Sequence, residues 1–201
     1  MERRMTNAYV AFWDLETTGF VNQYSTSPDD QPGIVQIGAA VTDASGNILR
    51  EYNQLVNPEL SDPSKWREDA MQVSGIFPEH VEDAPTLHTA LPEFAEFLIG
   101  CHFMAGYNHI AFDNVVMMFN LLRYGYEHCF PWPPNHIDLM PICEEKMNQI
   151  GKQGRKAPKL VEAYEEFVGK EMENAHDALF DVRGTAEIFK SFGGLEGLGY
   201  W

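Results

Sequence analysis

Runs of apolar residues predict three strands in the first third of the chain. They are Ala8 to Trp13, Ile34 to Thr42 and Ile48 to Val56, and each is short and rich in β-branched or aromatic side chains. A turn sequence, Asp43-Ala44-Ser45-Gly46-Asn47, joins the last two runs. The polar segment from Val21 to Gly33 separates the first two runs, and we expect it to be a surface loop.

Helical periodicity dominates the rest of the chain, and two more short apolar runs predict strands. One or two helical turns are expected between Asp62 and Ala84. The remaining predicted elements, in order, are a helix from Leu87 to Ile99, a strand from His102 to Tyr107, a helix from Phe112 to Tyr124 with Val115, Val116, Phe119 and Leu122 as its apolar positions, a strand from Asn135 to Leu139, and helices from about Pro141 to Gln149, Ala157 to Phe167 and Ala175 to Phe192. Periodicity alone predicts an α/β or α+β protein.

Two carboxylates follow the first predicted strand. Asp14 and Glu16 come directly after the apolar run that ends at Trp13. Side chains two residues apart in a strand project to the same side. Two neighbouring acids in a partly dry site cost free energy unless cations neutralise them. The pair therefore predicts a site for Mg²⁺ or Mn²⁺, which prefer oxygen ligands, although an acid after a strand is by itself usually a surface or turn residue.

Further candidate residues lie near the starts of two predicted helices. Asp113 opens a helix, where it can cap the N-terminus and still keep one oxygen for a metal-bound water. Asp181 follows His176 by five residues, which is roughly 500° of helical rotation at ~3.6 residues per turn. His176 is therefore expected in the loop or first turn before the helix. Asp177 is expected to orient that helix N-terminus, and Asp138 to be structural.

The motifs that contain these residues resemble those of the DEDDh exonuclease family. They occur in the family's order: DLETTG begins at Asp14, GYNHIAFD ends at Asp113, and HDALFD begins at His176. IVQIGAAV resembles the family's second strand. The resemblance covers nearly the whole chain, from about Asn7 to Phe192.

Two further positions differ in what they indicate: one departs from the family pattern, and the other indicates the subgroup. Ser74, in QVSGI, departs from the histidine or threonine that the family usually carries there. Asp177 stands where the sister DEDDy group carries a tyrosine, so the histidine subgroup is the better match.

The resemblance implies a fold, an activity and a role for each residue. The fold would be α/β and ribonuclease H-like, with a mixed five-stranded sheet flanked by helices. The activity would be metal-dependent 3′–5′ exonuclease hydrolysis of phosphodiester bonds, with two divalent cations, Mg²⁺ or Mn²⁺, and nucleoside 5′-monophosphates as products. Asp14 would bridge both cations, Glu16 and Asp181 would hold the one beside the nucleophile, and Asp113 would act on the second. His176 would accept the proton of the attacking water.

Substrate contacts are expected around the first motif. The residues expected to position the 3′ nucleotide through backbone, side-chain, base or sugar contacts are Leu15, Thr17, Thr18, Phe20, Ile76 and Phe112. Stacking on aromatic or apolar groups suits a single-stranded substrate of any sequence. His109, near Asp113, has two possible roles, a contact with a substrate sugar or phosphate or a structural role within the fold.

The charge of the chain argues against a broad basic nucleic-acid-binding face. The formal net charge is −16, whereas affinity for long nucleic acids comes from phosphate neutralisation by Lys and Arg. Five of the fourteen basic residues nevertheless lie between Met140 and Leu160. Lys152, Arg155 and Lys156 are interpreted as a phosphate-contacting flap, or alternatively as a solvated loop.

Composition bounds the remaining properties. The 201 residues are 44% hydrophobic and contain no linker-like segment, which predicts one domain, 1–201, with a core of about 7–192. The N-terminal sequence has no signal-peptide pattern, and no apolar run approaches the ~20 residues of a membrane span, so a soluble cytoplasmic protein is expected. The three cysteines show no zinc-binding or disulfide pattern.

Several alternatives stay open at this stage. Single-stranded 3′ ends are the expected substrate, with DNA favoured over RNA ends or very short oligonucleotides. A catalytically silent adaptor of the same fold is a second possibility, which the complete set of acids argues against. The sequence does not distinguish a homodimer from a protein that works with a polymerase-type partner.

Overall fold

A mixed sheet forms the centre of the protein. The computed structural model describes residues 8–60, 62–151, 154–172 and 176–200. The sheet strands are β1 (Val10–Thr17), β2 (Ile34–Thr42), β3 (Ile48–Leu55), β4 (Phe103–Gly106) and β5 (Asn135–Asp138). Their spatial order is β3-β2-β1-β4-β5; β2 is antiparallel to both of its neighbours, whereas β4 runs parallel to β1 and to β5. The predicted mixed five-stranded sheet is confirmed.

Helices cover the sheet and lie at its ends. In chain order they are α1 (Glu68–Ser74), α2 (Pro78–Val81), α3 (Leu87–Leu98), α4 (Asp113–Tyr124), α5 (Leu139–Met147), α6 (Leu160–Val168), α7 (Ala178–Ser191) and α8 (Gly194–Gly197). A two-stranded hairpin, β6 (Ile150–Gly151) with β7 (Gly154–Arg155), lies between α5 and α6. None of the helices in the described ranges is long and apolar enough to cross a membrane.

The two faces of β1 belong to two different hydrophobic cores. Trp13 and the β1 residues two positions before and after it pack in a core that includes α3 and α4. The Trp13 ring stacks there on Phe94. Phe12 faces the opposite core and meets Phe189 of α7 edge to face. Because strand side chains alternate, Asp14 and Glu16 continue the face of Phe12. The acids therefore stand at the end of the sheet surface that α7 covers.

The structure corrects the predicted end of β1. The acids were expected to follow a strand that ends at Trp13, but β1 runs on to Thr17. Pairing with β2 continues through Asp14 opposite Gly38 and Glu16 opposite Gln36. The strand continues because its backbone groups are still paired there, although its side chains have changed from apolar to acidic.

Helix α4 presents a different apolar face from the one its sequence suggested. Val116 is buried as expected, but Leu122 is exposed, and Met117 and Leu121 fill the core instead. The polar residue Asn120 occupies a buried position on the same face, where its Nδ2 donates to the carbonyl oxygens of Pro32 and Val116. A hydrogen-bonded amide at a core position thus obscured the helix periodicity.

Candidate active site

Glycine 38 allows two parts of the site to meet. It lies on β2 directly opposite Asp14. A Cβ atom added to Gly38 would lie 2.4 Å from the backbone carbonyl carbon of Ala178, the first residue of α7. Only glycine admits such an approach, so the N-terminus of α7 rests directly on the sheet. This contact brings Asp181, in the first turn of α7, toward the acids of β1.

Three carboxylates converge at this place. Asp14, Glu16 and Asp181 each offer an oxygen atom, and these atoms all lie within 4.8 Å of one another. All three side chains are partly buried. Such a set of oxygen donors matches the ligands that divalent Mg²⁺ and Mn²⁺ take in proteins.

Asp113 supports the cluster from the other side of β1. It is the first residue of α4, as predicted, and only 2% of its surface is exposed. Its Oδ1 accepts a hydrogen bond of 2.9 Å from the backbone N–H of Leu15. Asp113 is not one of the three clustered ligands, but its negative charge contributes to the raised pKa of Asp14 and of Glu16. Its second oxygen is not engaged by the Leu15 bond.

Burial and mutual repulsion hold these acids toward their protonated forms. Burial, then repulsion by Asp113, Glu16 and Asp181, raises the pKa of Asp14 well above its usual value. Burial and the charge of Asp181 raise the pKa of Glu16 to about 8. Burial raises the pKa of Asp113 to about 8 and that of Asp181 to about 6.

No lysine or arginine side chain forms an ion pair with the cluster in the part of the chain that the structure describes, and the only basic side chain that acts on it there is His176, whose charge lowers the pKa of Asp181 against the effect of burial. None of the lysine or arginine ion pairs found there involves the four acids. Four acids near one another without a cation are electrostatically unfavourable when ionised. The charge balance, like the donor set, therefore fits a site that binds divalent cations.

His176 lies in the turn just before α7, as expected. Its backbone has φ of 73°, a left-handed conformation, and its N–H donates to Oδ1 of Asp181 at 3.2 Å. The side chain is exposed. The imidazole is therefore open to solvent while its backbone is tied to a cluster acid.

The N-terminus of α7 is held by two side chains. Asp177 caps the helix by accepting from the backbone N–H groups of Leu179 and Phe180, which confirms its expected role. Gln36, buried on β2 opposite Glu16, donates to Oδ2 of Asp177 and accepts from the N–H of Ala178. Sequence reasoning missed Gln36, and its only signal was a polar residue within an apolar strand.

The residues on either side of Glu16 are held by hydrogen bonds to other parts of the protein. Thr18 is fully buried; its N–H donates to the carbonyl of Gly33, and its Oγ1 accepts from the N–H of the same residue. Thr17 is also buried and donates to the carbonyl of Gly19 at 2.7 Å. Leu15 gives its N–H to Asp113. These polar groups shape the site through contacts within the protein.

The apolar residues expected at the substrate pocket differ in accessibility. Ile76 is buried, and its N–H donates to Oγ of Ser74, the residue that departs from the family pattern. Phe112 is partly buried against the α3–α4 core. Phe20 is 58% exposed and is open to a ligand.

His109 takes the structural role of the two considered from the sequence. Its side chain is fully buried, and its Nε2 lies 3.4 Å from Nδ1 of His136 on β5. Burial lowers the pKa of His109 to about 4, so the ring is neutral at physiological pH. A buried neutral ring has no access to a substrate phosphate. Asp138 is also structural, because it caps α5 and accepts from the N–H groups of Asn108 and Ile110.

The basic segment contains a small hairpin where a loop was expected. Arg155 and Lys156 are exposed on and beside β7, and Lys152 lies outside the described residues. Lys156 forms a 2.7 Å ion pair with Glu162 of α6. The hairpin therefore presents Arg155 freely to solvent but holds Lys156 against an acid.

Sequence comparison matches this chain to a known family over most of its length. The sequence model of the family described as "Exonuclease" (RNase_T) matches residues 11–189. The chain belongs to this exonuclease family. The chain is also similar to DNA polymerase III PolC-type of Clostridium perfringens, 31% identical over 197 residues, and to that of Staphylococcus haemolyticus, 28% identical over 190 residues. Each match covers 94% of this chain but only 11% and 12% of the respective polymerases.

Solved structures show the same fold. Escherichia coli exonuclease I in complex with a dT13 oligonucleotide matches with a TM-score of 0.73 and 21% identity, over 95% of this chain and 42% of that one. A zinc-bound form of the exonuclease I–single-stranded DNA complex matches with a TM-score of 0.70 and 20% identity, over 92% and 40%. The ribonuclease H-like fold predicted from the motifs is confirmed. This exonuclease-family chain spans about two fifths of exonuclease I and about a tenth of the polymerases.

Proposed function

We infer that this exonuclease-family nuclease removes nucleotides from the 3′ end of single-stranded nucleic acid, with DNA favoured, and releases nucleoside 5′-monophosphates. The observation that supports this inference most directly is that carboxylate oxygens of Asp14, Glu16 and Asp181 lie within 4.8 Å of one another, with His176 at the edge of the cluster. DNA is favoured because the similar proteins include DNA polymerases, and the exonuclease I structures hold dT13 and dA16.

The carboxylate cluster fits divalent cations. Its donors are all carboxylate oxygens, and their raised pKa values reflect burial and repulsion that a cation would relieve. Asp14, Glu16 and Asp181 would hold the cations, with Asp113 completing the set. When bound, two Mg²⁺ or Mn²⁺ ions supply charge neutralisation and polarise the water and the phosphate. Without them, the site would repel a phosphodiester.

His176 is the residue proposed to move the proton. Its imidazole is exposed at the start of α7, and its backbone is bonded to Asp181. A ring nitrogen placed there can accept a proton from the attacking water, the task of a general base. Asp177 and Gln36 fix the helix end from which His176 extends, so they act as positioning residues.

The remaining residues are proposed to hold the substrate. Leu15, Thr17 and Thr18 shape the floor next to Glu16, and Ile76 with Phe112 would supply apolar contacts to the terminal sugar or base. The side chains of the β6–β7 hairpin, Arg155 above all, would contact phosphates farther along the strand. Local basic groups of this kind reconcile a net charge of −16 with a polyanionic substrate.

A time course on matched single-stranded DNA and RNA, each labelled at the 5′ end or at the 3′ end, tests this function. With Mg²⁺ or Mn²⁺ we expect immediate release of labelled mononucleotide from the 3′-labelled strand and a ladder from the 5′-labelled strand. EDTA should stop both. Undiminished hydrolysis after exhaustive chelation, or mononucleotide released first from the 5′ label, would contradict it. Faster loss of RNA than of DNA would keep the mechanism but assign the chain to RNA ends.

A further inference from the structure

A trough of about 520 Å³ opens beyond the end of β1, between the β1–β2 loop and the segment 62–67. It begins at Gly19, three residues after Glu16, and its volume lies within the ~300–1,000 Å³ of typical ligand sites. Two contacts join its walls. The N–H of Arg67 donates to the carbonyl of Thr18 at 2.9 Å, and Nζ of Lys65 donates to the carbonyl of Asp29 at 2.8 Å.

The loop wall is held in place by one buried and one partly buried side chain. Gln31 is 1% exposed; its Nε2 donates to the carbonyls of Asn22 and Ser25, and its Oε1 accepts from the N–H of Asn22. Arg123 of α4 donates to the carbonyls of Pro28 and Gln31. The loop thus has a defined conformation before any ligand arrives, which reduces the entropic cost of binding.

This ordered loop presents aromatic rings to solvent. Tyr24 is 90% exposed and Phe20 is 58% exposed. The guanidinium of Arg67 lies over the Phe20 ring, 5.4 Å from its centroid. A fixed loop that leaves the Tyr24 ring open offers a stacking surface for a planar group, next to the Phe20 ring on which Arg67 already lies.

The charges of the trough disfavour phosphate as its ligand. Arg67 forms two hydrogen bonds with the carboxylate of Asp69, at 3.0 and 2.7 Å. Lys65 lies 3.5 Å from Asp30, and Asp62 adds a further negative charge to the lining. The positive side chains of Arg67 and Lys65 are therefore already paired with carboxylates, and the net charge of the trough is close to zero. Its chemistry favours a flat, uncharged group over a phosphate.

We propose that this trough is a second nucleotide subsite, in which an unpaired base of a single-stranded substrate stacks on Tyr24, with Phe20 and Arg67 forming the adjoining wall. The subsite rests on the proposed nuclease function, since it extends the same substrate strand beyond the terminal nucleotide. A base inside a duplex is stacked and paired, so it is not available to Tyr24. The subsite therefore selects single strands without reading their sequence.

Binding of oligonucleotides that carry a single 2-aminopurine tests the subsite, since stacking quenches the fluorescence of this base. Terminal phosphorothioate linkages keep the strand from being consumed, so the measurement does not depend on hydrolysis. Wild type and Tyr24→Phe should quench the probe strongly at one or two positions near the 3′ end. Tyr24→Ala should abolish that quenching and raise the Kd by about 5- to 150-fold, the range of base–aromatic stacking.

Controls separate stacking from other effects. Ile99→Ala, which also removes a largely exposed apolar side chain, should leave Kd and quenching unchanged. The salt dependence of binding should be the same in Tyr24→Ala as in wild type but weaker in Arg155→Gln, because only the second change removes a phosphate contact.

Two results would overturn the subsite. One is a Tyr24→Ala protein that binds and quenches at every probe position as wild type does. The other is a Tyr24→Ala protein whose salt dependence weakens as in Arg155→Gln. A protein that fails to hydrolyse any strand but still shows Tyr24-dependent quenching would refute the nuclease proposal and keep the subsite.

Discussion

Acidic residues are treated differently in two regions of this protein. On β3, Glu51 receives two hydrogen bonds from Arg183 of α7, at 2.6 and 2.7 Å, and these bonds lower its pKa. At the end of β1, Asp14 and Glu16 are partly buried beside Asp181, and burial and repulsion raise their pKa values. Both regions meet the same helix.

The difference shows where the protein leaves repulsion between carboxylates without a lysine or arginine partner. Arg183 lies two residues after Asp181 on α7, yet its guanidinium is bonded to Glu51. The fold thus supplies an arginine partner to an exposed acid, whereas no lysine or arginine among the described residues pairs with the cluster. A cation from solution is the remaining way to neutralise such a site.

The largest expected effect comes from removing the central acid. Asp14→Asn should lower turnover by at least about 10³-fold, because it takes away a carboxylate of the cluster on which Asp113, Glu16 and Asp181 all act. Steady-state rates on a single-stranded oligonucleotide with Mn²⁺ measure this loss. Glu51→Gln, which removes an acid outside the cluster, should keep near-normal turnover. Equal losses in both variants would contradict the distinction between the two regions.

Replacement of the exposed histidine should have the next largest effect. His176→Ala should lower kcat by about 10²- to 10⁴-fold, the usual contribution of a general base. Binding of the oligonucleotide should be unchanged, since the acids and the residues proposed to contact the substrate remain. Single-turnover rates and a separate binding titration distinguish the two steps. Near-normal turnover in His176→Ala would remove histidine from the mechanism.

The pH dependence of stability sharpens the comparison further. The pKa of Glu16 and that of Asp113 are raised to about 8, so the folded metal-free protein keeps protons that the unfolded chain loses near pH 4. Stability of the metal-free protein should therefore fall as pH rises between these values. Glu16→Gln should raise the metal-free Tm near pH 8 by roughly 2–8 °C and flatten the profile.

Thermal unfolding in EDTA across this pH range checks that expectation. Glu79→Gln removes the same charge from an exposed position and is the matched control for the overall repulsion of a chain with net charge −16. If Glu79→Gln flattens the profile as much as Glu16→Gln does, the effect belongs to the net charge and not to the cluster.

The smallest expected effect lies at the partnered acid. Glu51 and Arg183 are about one third exposed, so their bond is weakened by solvent screening. Glu51→Gln should therefore reduce the free energy of unfolding by about 0–1 kcal/mol. Chemical denaturation at neutral pH provides the value. A loss several times larger would mean that this ion pair, and not packing on Gly38, holds α7 to the sheet.

The motif residues could be located from sequence because their elements are local. The apolar run of β1 and the helix starts at Asp113 and near His176 follow from periodicity and capping chemistry, and the structure has them there. The end of β1 could not be predicted, because pairing with β2 maintains the strand after its side chains become acidic.

Other features of the site depend on contacts between distant segments. In the sequence, Gly38 is only one small residue within a predicted strand. The requirement for glycine there follows from the close approach of the Ala178 backbone, which the sequence does not reveal. In the sequence, Gln36 is an isolated polar residue. Its role becomes clear only from its hydrogen bond to Asp177 in the fold. The burial of His109 likewise depends on His136, which follows it by 27 residues. A single sequence contains no signal for such pairs.

Calorimetric titration with Mn²⁺ in two buffers of different ionisation enthalpy tests the central claim most directly. Because the pKa of Glu16 and that of Asp113 lie at about 8, Mn²⁺ binding near pH 7 should release protons. The release by Glu16 and Asp113 should become much smaller at about pH 9, where these two acids are mostly ionised while binding persists. Asp14→Asn should lose the tight binding. Mn²⁺ binding near pH 7 without proton release, or equal binding by Asp14→Asn, would contradict the account of a carboxylate cluster built to receive cations.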